Sequence, residues 1–247
     1  MCINRLRRSA ALCTAWVLAT GLVALVPVVS RADLAFTVTL NTSGLIGHAA
    51  GPFALDFQLV DGSGLGEGNN TVTISNFTFG GGAAAGSATL VGGVIGSLGA
   101  GLSLHDTVFF NEFTQGFTAG STLSFDVHTT TNVDAGPTPD EFSFAILDKS
   151  GVELPTTDPT GVNTFLTVTL DSANPTINAY ASDITQSPAA GGRPITTGIA
   201  VISNVSITAG GAGVPLPAAW QGAGLCLSLL PLYQLAKRTR PAVAKAR

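Results

Sequence analysis

The run "DGSGLGEGNN" sets four oxygen-bearing side chains on one glycine-flexed stretch: Asp61, Ser63, Glu67 and Asn69. Calcium takes several oxygen ligands at once, from carboxylates, amides, hydroxyls and carbonyls. Glycines between such residues let a backbone fold round an ion. These four residues are therefore the chain's candidate calcium site. The loop is not an EF-hand, because the twelfth position counted from Asp61 is Val72, where that loop needs Glu. The competing reading is a solvated polar turn.

Other chemistry finds little footing. His48, His105 and His128 are not spaced as a metal pair on one element, and no H-E-x-x-H occurs. Ser63 lies in Asp-Gly-Ser-Gly, which reads as a turn and not as a nucleophile elbow. The glycine-rich runs lack the Lys of a P-loop and the strand–turn–helix setting of a dinucleotide site. Asp140 and Glu141 are adjacent, so on a strand they point to opposite faces and do not make the paired carboxylates of a glycosidase. A protein without catalytic residues is expected, with calcium as the one candidate cofactor. Extracellular polysaccharide is a possible partner, although the platform is poor. Sugar rings commonly stack on Trp or Tyr, and residues 33–213 hold no Trp and only Tyr180. Phe109 and Phe110 are the aromatic candidates that remain. Asn-x-Ser/Thr triplets at Asn41, Asn69, Asn76 and Asn204 are assigned no role.

The elements that position these residues are read from period-two alternation, which puts one face of a strand on a core and the other in water. Leu34, Phe36, Val38 and Leu40 alternate with small or polar residues, as do Phe53, Leu55, Phe57 and Leu59. Leu123, Phe125 and Val127, then Phe142, Phe144 and Ile146, then Leu166, Val168 and Leu170 repeat the pattern. Ile199, Val201, Val205 and Ile207 share one parity, which predicts a buried face. In "TVTISNFTF" the parity slips between Ile74 and Phe77, and a β-bulge near Ser75–Asn76 restores it. Further strands are expected near 87–94, 102–111 and 176–182, giving nine or ten in all. Gly and Pro interrupt the sequence too often for helices, and no internal repeat is found. The predicted fold is all-β, an antiparallel two-sheet sandwich of jelly-roll type over residues 33–208.

Charge divides the chain into three. Arg5, Arg7, Arg8 and Arg31 stand at the front; Lys237, Arg238, Arg240, Lys245 and Arg247 stand at the back. The stretch between them has only Lys149 and Arg193 against 15 carboxylates, a net of −13. Nucleic acid is excluded as a partner, since phosphate contacts need clustered cations. Cys2, Cys13 and Cys226 likewise fall outside the middle stretch, which can form no disulfide of its own. Residues 1–32 have the layout of a secretory signal: a basic start, an apolar stretch to Val29, then Ser30 and Ala32 as the small residues before a cut. Cleavage by signal peptidase is expected after Ala32.

The C-terminus has its own order. A Gly-rich linker (209–213) leads to Val214-Pro215-Leu216-Pro217. Residues 218–236 are apolar and about as long as a bilayer-spanning helix requires. The basic cluster containing Lys237, Arg238 and Arg240 follows and would hold that end in the cytoplasm. This motif–helix–basic order resembles the PEP-CTERM sorting signals of Gram-negative bacteria, read by the membrane protease exosortase. Leu216 stands where the usual motif has Glu. "GPFALDFQLVDGSG" followed by "NNTVTISNFTFGGG" is in turn similar to β-rich exported proteins that carry such tails. The resemblance implies export, a membrane-held precursor, an exosortase-like partner and residence at the cell surface or in the extracellular matrix. It carries no active-site residues. The alternative is an uncleaved C-terminal anchor.

Overall fold

The computed structural model describes residues 32–132, 138–170 and 175–209. These hold thirteen strands, one 3-10 turn at Ser43–Leu45, and no α-helix. The strands are β1 (Ala32–Asn41), β2 (Phe53–Val60), β3 (Thr71–Thr78), β4 (Ala83–Ala84), β5 (Thr89–Val91), β6 (Gly93–Ser97), β7 (Gly101–His105), β8 (Phe110–Thr118), β9 (Thr122–Thr130), β10 (Asp140–Leu147), β11 (Leu166–Leu170), β12 (Thr176–Ala179) and β13 (Val201–Ala209). The first sheet has the order β13-β1-β9-β3-β7-β6. The second has the order β12-β11-β10-β2-β8-β4, with β5 also paired to β8. The pairings are antiparallel throughout.

Alternation decides which faces meet. Leu34, Phe36, Val38 and Leu40 of β1 are buried, as are Leu55, Phe57 and Leu59 of β2. Phe57 is the hub of the interior. Its ring lies 5.0 Å from that of Phe144 on the neighbouring strand of its own sheet, and 5.3 Å, edge on, from Phe125 of the opposite sheet. Phe125 also meets Phe144 edge to face at 5.2 Å. Edge-to-face aromatic pairs add to the stabilisation from buried area, and here they tie sheet to sheet. The predicted two-sheet sandwich is the observed architecture. The signal segment up to Arg31, the sorting motif, the 218–236 segment and the basic tail lie outside the described residues.

Several strand expectations change. The stretch 102–111 is not one strand: β7 ends at His105 in the first sheet and β8 starts at Phe110 in the second. Asp106 makes the corner, buried, its carboxylate accepting the Asn70 backbone N–H at 3.0 Å. The stretch 87–94 is likewise two strands on two sheets, parted at Gly92, whose φ of 71° suits glycine. The segment predicted at 176–182 stops at Ala179. No strand is expected over 112–118, yet β8 pairs with β2 from Phe110 to Phe117. Its buried face includes Asn111 and Gln115, which hid the alternation. Both amides serve loops: Asn111 Oδ1 accepts Gly93 N at 2.8 Å, and Gln115 Oε1 accepts Leu98 N at 3.0 Å.

The parity read at the end of the chain is overturned. Ile199, Val201, Val205 and Ile207 are all more than half exposed, and Ile202 is the residue that packs on the core. β13 is an edge strand, and Asn204 takes φ 53° there, in register with a shift in the β1–β13 pairing. A bulge inserts one residue and reverses the faces beyond it. The bulge expected at Ser75–Asn76 is present, with Asn76 at φ 56°.

Both described ends of the domain leave from one place. Ala32 opens β1, Ala209 closes β13, and the two are paired. Asp33 pairs with Thr130, and Thr130 Oγ1 bonds Asn70 at 3.3 Å, so the 61–70 loop belongs to that same end.

Candidate functional site

The glycine loop closes on itself. Asp61 is fully buried, and its Oδ1 accepts Ser63 Oγ at 2.8 Å and Gly64 N at 2.7 Å, while Oδ2 accepts Gly66 N. Burial pushes this carboxyl up, but the hydrogen bonds from Gly66, Ser63 and Gly64 outweigh it and hold it below the usual carboxylate range. Ser63 Oγ also reaches both oxygens of Glu67, at 2.7 and 2.8 Å. Asp61, Ser63 and Glu67 therefore come together, whereas Asn69 is tied through its carbonyl oxygen to Asn132 Nδ2. A calcium ion here would compete with the loop's own N–H groups for Asp61. Among the described residues no group of three or more His, Cys, Asp or Glu side chains is placed to hold a metal ion.

Asp140 and Glu141 do part to opposite faces. Asp140 is buried and Glu141 exposed. Asp140 accepts Gly62 N at 2.8 Å and Asn70 Nδ2 at 2.9 Å, fastening the loop to the start of β10. The three histidines stay apart. His48 accepts Ala50 N and bonds the Arg193 carbonyl, His105 bonds Thr71, and His128 is exposed on β9. Phe109 is 59% exposed and Phe110 36%; with Leu65 and Val108 they form an apolar rim on the loops at the end where both termini leave.

One group was invisible in the alternation. Asp56 occupies an outward position on β2, opposite Thr114 of β8 and Ala145 of β10, yet it is 2% exposed. Gln58 donates to Oδ2 at 2.7 Å, and Oδ1 accepts no hydrogen bond from any described residue. Burial, then the nearby charges of Glu112 and Glu153, push this carboxyl up to about 7, against the pull of Gln58. Burial and Glu153 raise Glu112 as well. The outer face of the second sheet thus carries a carboxyl that holds its proton at mildly acidic pH.

The outer face of the first sheet carries a built polar groove. Thr37 of β1 pairs with Asp126 of β9, and their side chains meet at 2.7 Å, Thr37 donating. Asn76 Nδ2 from the β3 bulge donates to Asp126 Oδ2 at 2.8 Å. Asn204 Nδ2 from the β13 bulge donates to Thr37 Oγ1 at 3.2 Å. The result is a four-strand chain of hydrogen bonds, Asn204–Thr37–Asp126–Asn76, with a left-handed Asn at each end. Ala35, Ser75 and His128 complete a groove of about 340 Å³. Bonds from Asn76 and Thr37 outweigh burial and keep Asp126 below the usual carboxylate range. The sequence carries a signal for this arrangement. "TISNFTF" and "VISNVSI" share the pentad Ile-Ser-Asn-x-Thr/Ser, and its two copies make the two bulges. One residue of each copy, Ser75 and Asn204, lines the groove.

Comparison with known proteins finds no matching family model, no matching curated protein and no matching solved structure.

Proposed function

We propose that this is an exported, non-enzymatic surface or extracellular-matrix protein with a structural or adhesive role, delivered by a PEP-CTERM-like C-terminal signal. The observation that carries the reading is the pairing of Ala32 with Ala209. The described domain begins at Ala32 and ends at Ala209 on paired neighbouring strands, so the segments before and after it attach to adjacent strands of one sheet. An acidic, cysteine-free domain suits residence outside the cell, where net charge favours solubility. The apolar rim of Leu65, Val108, Phe109 and Phe110 supports contact with other surfaces, since clustered exposed apolar side chains mark interaction sites.

The fold belongs to the jelly-roll type in this reading. β1-β9-β3-β7 facing β2-β8-β4 is the interleaving that two Greek keys give, with β10–β12 and β13 as additions. Residues 1–32 act as a signal cut after Ala32, and 218–236 as a transmembrane helix ahead of the basic Lys237, Arg238 and Arg240. An exosortase-like enzyme reads Val214-Pro215-Leu216-Pro217. Intact mass measurement of the protein from its native cells tests this. Loss of residues 1–32 and of the segment after the motif is expected. A mature mass that retains the C-terminal tail defeats the sorting assignment and leaves a membrane-anchored module, the second reading.

A further inference from the structure

We propose that the groove between the Asn76 and Asn204 bulges binds one unit of a neutral, hydroxyl-rich glycan. This deepens the surface-protein reading by naming the partner, and rests on it for biological setting only.

Four observations point to that ligand class. First, the groove is assembled from a pentad used twice: Asn76 and Asn204 stand on strands with two others between them, and both turn their amides toward the Thr37–Asp126 pair. Each holds φ near 55°, a region that costs an L residue other than Asn or Gly more to occupy. Second, the exposed chemistry is acceptor-rich. A carboxylate offers about four lone-pair sites, and Asp126 uses one on Thr37 and one on Asn76. Ser75 and Asn204 line the same space beside Thr37 and Asp126. Sugar hydroxyls are donors that match such a set, each also accepting in turn. Third, no Lys or Arg lines the groove, and the 33–213 stretch sums to −13. Phosphate, sulfate and uronic acids find no counter-charge and meet repulsion. Fourth, the floor is Ala35, whose small side chain leaves the space open, and a volume of about 340 Å³ falls at the lower end of the range for small-ligand sites. Rows of hydroxyls extend the face on either side: Thr39 with Ser124 at 3.1 Å and Thr73 with Ser103 at 3.4 Å. A polymer seated by one unit could lie along them.

The experiment is calorimetric titration of the full-length protein with cellohexaose, xylohexaose, mannohexaose and chitohexaose, and with polygalacturonate as an anionic control. At least one neutral oligomer is expected to bind with a dissociation constant of about 1 mM or tighter, and polygalacturonate is expected to give no heat. Ala35→Trp, which fills the floor, and Asp126→Ala, which removes the central acceptor, are each expected to weaken binding at least tenfold. Where either variant fails to fold, His128→Trp, at an exposed position on the same groove, replaces it. No binding by any neutral oligomer overturns the proposal, as does full affinity in a folded floor-filling variant; in that case the hydrogen-bond chain only braces the sheet. Tighter binding of polygalacturonate than of the neutral oligomers overturns it too. None of these failures touches the mass test of processing.

Discussion

Asp56→Asn is expected to make the protein more stable at pH 8 and to change little at pH 4. The carboxyl is 2% exposed, one oxygen lacks a hydrogen bond, and burial with Glu112 and Glu153 lifts it from 3.8 to about 7. Below pH ~4 Asp56 carries its proton in both folded and unfolded chains and makes no difference. Between ~4 and ~7 the unfolded chain gives up the proton while the folded one keeps it. Folding then loses about 1.4 kcal/mol per pH unit. Above 7 the loss is complete, on the order of 4 kcal/mol, and the burial is deep enough for solvent to screen little of it. Asn is isosteric. Its oxygen keeps the bond from Gln58, and the neutral amide meets no repulsion from the nearby charges of Glu112 and Glu153. Urea unfolding of wild type and variant at pH 4.5, 6 and 8 measures the difference. With an m-value near 3 kcal/mol/M, the variant's midpoint should exceed the wild type's by about 1.5 M at pH 8. A gap that does not grow between pH 4.5 and 8 refutes the reasoning, because it means Asp56 ionises on an ordinary schedule and its site is wet.

Four further outcomes are expected. Phe57→Ala removes the ring that meets Phe77, Phe113, Phe125, Phe142 and Phe144 and should cost about 3–5 kcal/mol by thermal or urea unfolding; a loss under 1 kcal/mol would mean that the two sheets do not rely on that hub. Asn76→Gly keeps the left-handed bulge and should lose about 1 kcal/mol with its bond to Asp126, whereas Asn76→Ala adds about 1–2 kcal/mol of backbone cost; equal effects of the two would show that the bulge is not held at positive φ. Asp61→Ala should destabilise at pH 7 by roughly 2 kcal/mol, the effect shrinking as pH falls through the depressed carboxyl's range, since the wild-type contribution is itself lost there. Because the loop's own N–H groups occupy Asp61, millimolar calcium should raise the melting temperature of the wild type by less than about 1 °C; a rise of several degrees would restore the loop as a calcium site.

Much of the molecule follows from alternation that any reader of the chain can see. Leu34 to Leu40, Phe53 to Leu59 and Phe142 to Ile146 settle three central strands, and the slipped parity of "TVTISNFTF" locates a bulge, because a strand's faces repeat every second residue wherever it stands. The charge partition and the small residues before Asp33 belong to the sequence as well, being properties of order and not of contact. Tertiary structure decided the rest. β8 reads as no strand until its buried Asn111 and Gln115 are seen to satisfy the 86–98 loops. Val205 and Ile207 promise a core and find water, since an edge strand beyond a bulge has no opposing sheet over it. Asp56, outward by parity, is buried by what covers its sheet, and a carboxyl's ease of ionisation depends on surroundings that alternation does not describe. The groove shows the division most plainly. Its two pentads lie about 128 residues apart in the chain, and only the sheet order β13-β1-β9-β3 brings their amides to bear on one Thr–Asp pair.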